Sequence, residues 1–501
     1  MTAKRPREWR LSVPGSDGQA PGRASCHARC DVILLRKRPL VRLPVKKYST
    51  KAERLSQGDA PVAIAAIAEI DEAIAALPVI DTHEHTFSEA DRRQRSLDLL
   101  STEMHHYVGS DLVSAGMTPA EQARMYDQSR DPAERWGIFL RYWEYAKTTG
   151  YAKALHIACR DLFGMDDLMS AAPSLEGYRS VNEQLTASQQ HEAWYRHILQ
   201  ERGNIVLAIP DVQSTAVDKT LFAPAMRFDS FISVGNRSGV AELEHQTEHS
   251  IYDLDDLVSA LGLAFAKAKE EGMVTVKSGL AYRRILQYDN VPRPDAERVF
   301  AQVAAGTRTQ GDGKTQDGLT FTECKPLQDY MMHQVVRLCI EHGIPMQIHT
   351  GLHAGNGNII TNSNPTHLVN LFIQYPQARF DIFHAGYPYQ SELATLAKNF
   401  QNVYLDLCWV HIISPYVARA TLHEWLETVP HNKIFGFGGD YGPVELAYGH
   451  SVMARESVAR VLSEKVEEGL YSVDQARIFG ARLLHDNANE FFGLGQENLV
   501  P

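Results

Sequence analysis

Short runs of β-branched and aromatic residues, each closing on polar residues or glycine, recur along the chain between longer stretches with helical spacing. The runs cover residues 78–81, 204–210, 228–234, 274–279, 345–349, 379–384, 403–407 and 433–438. Helix-like segments lie between them at 251–271, 326–342, 365–376, 389–400 and 415–429, and an Ala-rich amphipathic stretch at 61–77 leads into the first run. Near-continuous apolar strands alternating with helices predict a parallel α/β sheet. Eight such units predict closure into a (β/α)8 TIM barrel.

Two stretches exceed an ordinary loop. Residues 87–200, after the first strand, read as a large helical insertion with an aromatic cluster at 136–143. Residues 285–324 follow the fourth strand and include a Gly/Thr/Gln-rich stretch at 305–319, expected to be a loop. Insertions that follow strands sit at the C-terminal face of a barrel, so both are placed to shape a pocket. More helices are expected over 451–494. The barrel with its insertion is therefore expected to occupy 59–494.

Residues 1–58 are rich in Arg, Lys, Pro and Gly and carry no sustained amphipathic period. They read as a disordered basic tail, or as an upstream extension without function. The apolar stretch 31–35 lies too far in for a secretory signal, and Glu8, Asp17 and Asp31 speak against a mitochondrial presequence. The chain is 44% hydrophobic and 22% charged, with no apolar run of about eighteen residues, which sets a membrane span aside. A net charge of −11 argues against a broad nucleic-acid footprint. Six scattered cysteines do not form a disulfide framework, and Cys26 and Cys30, which bracket His27, have no second ligand pair after them. A cytoplasmic protein acting on a small molecule is expected. Homo-oligomers are common for such barrels, though no interface is legible.

Candidate chemistry gathers where strands end. In a strand, residues i and i+2 point the same way, so His83 and His85 in Val79-Ile80-Asp81-Thr82-His83-Glu84-His85 form a bidentate imidazole pair suited to a divalent metal. The fifth strand ends at His349, the sixth at His384, and the eighth runs into Asp440. Any one of these alone is more often a satisfied structural group. Four histidines and an aspartate at four C-terminal ends of one barrel point to an active site. Lys277 closes the fourth strand, where a free lysine holds a substrate carboxylate or a buried ion pair.

The ordered set His-x-His, His, His, Asp resembles the amidohydrolase superfamily over roughly residues 60–494. The phrases Tyr151-Ala152-Lys153-Ala154-Leu155, Lys277-Ser278-Gly279-Leu280-Ala281-Tyr282-Arg283 and His349-Thr350-Gly351 are similar to its amidohydrolase-related branch, which includes the domain fused to glutamine-synthetase-like proteins. The helical insertion is similar to that of uronate isomerases. The resemblance implies a metal bound by His83, His85 and Asp440, with His349 completing the shell. It implies His384 as a second-metal ligand or substrate-polarising group, and Asp440 also as the base that takes a proton from the attacking water. Lys277 stands where binuclear members carry a carboxylated lysine bridging two metals. Zinc is the first expectation for the cofactor, as one or two ions, with manganese or iron as the other candidates.

For substrate, Arg283 and Arg284 can neutralise an acidic group, while Tyr282 and His353 neighbour the strand-four and strand-five ends. Trp409, His411 and the aromatic cluster 136–143 are expected near the pocket wall or over it. The expected reaction is metal-dependent hydrolysis of a C–N or C–O bond in a small polar, acidic substrate. Isomerisation of a sugar acid, or decarboxylation, on the same ligands is the alternative; a barrel turned to binding or regulation is the third.

Overall fold

A computed structural model describes residues 60–306, 308–309, 315–316 and 318–501. The expectations for residues 1–58, including Cys26 and Cys30, lie outside the described residues, as does part of 305–319.

A helix over Ala60–Ala76 leads into β1 (Val79–Glu84). There follow β2 (Ile205–Pro210), β3 (Ala225–Met226), β4 (Thr275–Ser278), β5 (Met346–Ile348), β6 (Phe380–Ile382), β7 (Val403–Asp406) and β8 (Ile434–Phe435). β1 pairs with β2, and β3 to β8 pair in sequence order, all parallel. Backbone hydrogen bonds close both seams. Thr82 N–H donates to Phe437 O at 3.2 Å and Asp440 N–H to His83 O at 2.8 Å, joining β8 to β1. Ala208 N–H donates to Leu221 O at 2.9 Å and Ala223 N–H to Ala208 O at 2.9 Å, joining β2 to the chain that enters β3. The result is the expected (β/α)8 barrel.

One strand stands elsewhere than the apolar run suggests. Residues 228–234 contain a short helix, Asp229–Ile232, and the third strand precedes it. The buried side chains there are Phe228, Phe231 and Ile232, spaced i, i+3, i+4, which is the spacing of a helix face rather than of a strand.

Polar residues line the barrel near its C-terminal end: Asp81, Thr82, Glu84, Gln347, Asp381 and Asp406 are all buried. Asp81, Thr82, Glu84, Gln347 and Asp406 each bond a backbone group near the strand ends. Asp81 accepts from His83 N–H at 3.1 Å and Gly439 N–H at 2.9 Å. Glu84 accepts from Tyr441 N–H at 2.8 Å. Burial pushes the Asp81 carboxyl up to about 6 and that of Asp406 up to about 7. Gly439 has no room for a side chain: a Cβ would sit 1.7 Å from Glu84 Oε1 and 3.0 Å from Asp81 Oδ2. Gly439→Ala is therefore expected to cost about 1–3 kcal/mol by overpacking, read as a lowered urea midpoint at unchanged slope.

Residues 87–200 fold as a succession of helices, among them Pro132–Ala146, Gly150–Phe163 and Leu175–Ser188. The aromatic cluster is their core, with Trp136 stacked on Tyr178 at 4.8 Å and Phe139 packed on Trp143. It does not cap the pocket. Its polar hub is Asp98, fully engaged by a bidentate Arg135 at 3.0 and 2.6 Å, by Tyr178 OH at 3.0 Å and by Asn182 at 3.1 Å. Among the described residues, no helix is long and apolar enough to cross a membrane.

Candidate metal centre

His83 and His85 stand at the end of β1 and immediately past it. They meet Asp440, which the chain reaches five residues past β8 in a left-handed conformation (φ 59°). His384 and Trp409, past β6 and β7, share that conformation, with φ 63° and 69°. Non-glycine residues rarely adopt it, and such local strain gathers at functional sites.

Asp440 Oδ1 lies 3.5 Å from His83 Nε2 and 3.2 Å from His85 Nε2; its Oδ2 lies 3.8 Å from His384 Nε2. Two donors on one tetrahedral zinc stand about 3.4 Å apart, given bonds of roughly 2.1 Å. The spacings of Asp440 from His83 and His85 match that edge. The tautomers, assigned from hydrogen-bond partners, agree. His85 Nδ1 faces Asp211 O at 3.3 Å, so its N–H belongs there and Nε2 offers a lone pair to the centre. His384 Nδ1 faces Cys408 O at 3.1 Å with the same consequence. A backbone carbonyl holding the far nitrogen is how ligating imidazoles are oriented. The donor set therefore fits a divalent cation.

The charge states fit as well. Burial, with Lys277 nearby, holds the His83 ring well below its usual pKa, and burial takes His384 down to about 3. Although burial pushes it up, the Asp440 carboxyl is held well below its usual range by the His85, His83 and His384 rings that face it. Neutral imidazoles around an ionised carboxylate are the states a metal binds.

His349 turns away from the His83–His85–Asp440 cluster. Its Nε2 faces Leu352 O at 2.8 Å and its Nδ1 faces His384 Nε2 at 3.0 Å. Lys277 is fully buried, its Nζ 3.0 Å from His83 Nε2, and burial lowers its ammonium pKa. That contact uses the lone pair through which His83 would bind a metal, so the lysine must yield it, neutral or modified, when the ion is bound.

A cavity of about 700 Å³ opens on this centre, lined by His85, Lys277, His349 and Asp440 at its floor. Tyr282 and Arg283 are on its wall, as the sequence suggests. Arg284 is not: it is buried and bonded to Asp329 at 2.5 Å and Gln328 at 3.0 Å, a structural pair. His353 is buried behind the wall, 4.6 Å from the Tyr282 ring and stacked on His349 at 5.4 Å. Trp409 lies under the centre between Tyr107 and His384, and His411 is tied to Gly436 O at 2.9 Å. Neither lines the cavity.

Sequence reasoning missed four groups. Arg227, just past β3, lines the cavity and is held by Asp211, which takes its Nε at 2.9 and 2.8 Å and its Nη2 at 2.5 Å. The misplaced third strand hid it. His106 and Tyr107 come from the insertion, and Tyr107 OH donates to Asp440 O at 2.7 Å; no local signal marks them. Cys408, two residues past β7, did carry a signal: it stands beside a strand end like the histidines.

The family model described as Amidohydrolase matches residues 296–494. Protein fluG of Emericella nidulans is 31% identical over 235 residues, 46% of this chain but 26% of its own length, so the chain spans about a quarter of that relative. Among solved structures, uronate isomerase from Thermotoga maritima aligns at a TM-score of 0.69 and 18% identity, over 85% of this chain and 97% of its own. Glucuronate isomerase from Caulobacter crescentus aligns at 0.69 and 18%, over 87% and 95%. At such identity the likeness is one of fold.

Proposed function

We propose that this member of the amidohydrolase superfamily is a metal-dependent hydrolase acting on a C–N or C–O bond of a small acidic substrate. The observation that carries the reading is Asp440, buried with one carboxylate oxygen 3.5 Å from His83 Nε2 and 3.2 Å from His85 Nε2, in a cavity that Arg227 and Arg283 also line. A divalent cation, zinc foremost, held by His83, His85 and Asp440 would supply Lewis acidity and bring the pKa of water toward neutrality. Asp440 accepts the proton of the attacking water and returns it to the leaving group. His384, its Nε2 lone pair facing the centre, accepts a hydrogen bond from the attacking water or a substrate hydroxyl. Tyr107 OH, bonded to the Asp440 carbonyl, fixes that residue's backbone from the insertion side.

Arg227 holds the acidic group. A guanidinium already locked by Asp211 through Nε and Nη2 loses little freedom on binding, and its positive charge faces the cavity it lines. Arg227→Ala is expected to raise KM by about 10–100-fold with a smaller change in kcat, the pattern of lost ground-state binding. Arg284→Met should leave KM unchanged, since Arg284 faces Asp329 and not the cavity.

A second reading has one observation in its favour. The Lys277 amine lines the cavity beside His83, where it can move a proton between neighbouring carbons of a sugar acid. Turnover of a panel of amides, lactones and uronates in isotopically labelled water separates the two. Solvent oxygen in the product supports hydrolysis; an aldose–ketose shift or carbon dioxide release, without solvent oxygen, overturns it.

A further inference from the structure

The mechanism above leaves the thiol of Cys408 unused. It is fully buried, and its Sγ, a ring nitrogen of His384 and a carboxylate oxygen of Asp440 all lie within 4.8 Å of one another. Gly438, just beyond β8, makes the room: a Cβ there would sit 2.8 Å from Sγ and 2.5 Å from Thr82 Oγ1. The backbone fixes the pair, since Cys408 N–H donates to Asp406 at 2.7 Å and Cys408 O receives the Nδ1–H of His384. A second feature points to the same spot. With His384 Nδ1 and His349 Nε2 both committed to carbonyls, His384 Nε2 and His349 Nδ1 are left as two acceptors facing each other at 3.0 Å. Two facing lone pairs in a buried site repel unless a cation or proton lies beside them.

We propose that His384, Cys408 and Asp440 form a second, thiolate-containing metal position, with Asp440 shared between it and the His83–His85 position and His349 alongside. This rests on the metal-centre reading above. On binding, the Cys408 S–H bond breaks, its proton leaves to solvent, and a sulfur–metal bond forms. A thiolate is a soft ligand, so this position selects zinc over manganese or magnesium, whereas the imidazole–carboxylate position discriminates less.

The test uses the purified chain carrying C26S and C30S, stripped with a chelator and titrated with cobalt(II). About two cobalt ions per chain are expected, the second bringing a near-ultraviolet thiolate-to-cobalt charge-transfer band. Cys408→Ser and Cys408→Ala, shown folded by circular dichroism, are each expected to lose that band and about one ion per chain while keeping the visible bands of the other position. A parent that binds one cobalt without the band, or variants that keep it, overturns the proposal and leaves the first position standing. A parent that binds no cobalt overturns both.

Discussion

Asp440→Asn is expected to lower turnover by on the order of 10²–10⁴-fold, the range for loss of a positioned acid–base group, while the protein stays folded. The amide is nearly isosteric, and the backbone bonds that hold position 440, His83 O to its N–H and its O to Tyr107 OH, remain. What is lost is the ionised oxygen 3.2 Å from His85 and 3.5 Å from His83. Metal affinity should weaken as well, because an amide oxygen is a poorer partner for a divalent cation than a carboxylate. Steady-state kinetics at saturating metal separates the effects: turnover restored to the parent value by metal alone would show that Asp440 is a ligand and not the base. Falling pH should weaken metal binding in the parent, since protons compete for the same imidazole nitrogens.

Asp98→Ala is expected to destabilise the protein by about 3–5 kcal/mol, the cost of leaving a buried charge without its partner. Arg135 is 3% exposed and would keep its guanidinium bonded to Tyr178 OH and Met125 O with its paired carboxylate gone. Asp98 also caps the turn at Leu99–Glu103 through Leu100 and Ser101 N–H. Denaturation by urea should show a lowered midpoint, and Asp98→Ala with Arg135→Met should recover part of the loss. The pH dependence has a definite sign. Although burial raises it, Arg135 and the Ser101 bond hold the Asp98 carboxyl below its ordinary 3.8 in the fold. Its stabilisation is thus present above 3.8 and lost as pH falls below that value. The gap between parent and Asp98→Ala should narrow in acid; a gap that widens there would contradict the assignment.

The barrel was legible because its strands are short, apolar and closed by polar residues, and because buried parallel strands need no alternation. It failed at 228–234, where four apolar residues are interrupted by Asp229, Ser230 and Ser233; the i, i+3, i+4 spacing of Phe228, Phe231 and Ile232 is that of a helix face. That shift of a few residues concealed Arg227. His83, His85, His384 and Asp440 were legible as a group because each stands at a strand end or within a few residues past one, where the fold brings them together. The wall of the cavity was not, because His106 and Tyr107 arrive from an insertion whose path depends on packing of Trp136, Phe139 and Trp143. Arg283 and Arg284 look alike in sequence, yet one lines the cavity and the other faces Asp329, since adjacent residues past a strand point apart.

Elemental analysis of the purified chain beside its His83→Ala/His85→Ala variant tests the metal centre most directly. At least about one divalent ion per chain, zinc foremost, is expected in the parent and none above background at the centre of the variant. A parent without stoichiometric metal, and a variant that behaves as the parent does, would contradict a catalytic metal site and favour a binding or regulatory barrel.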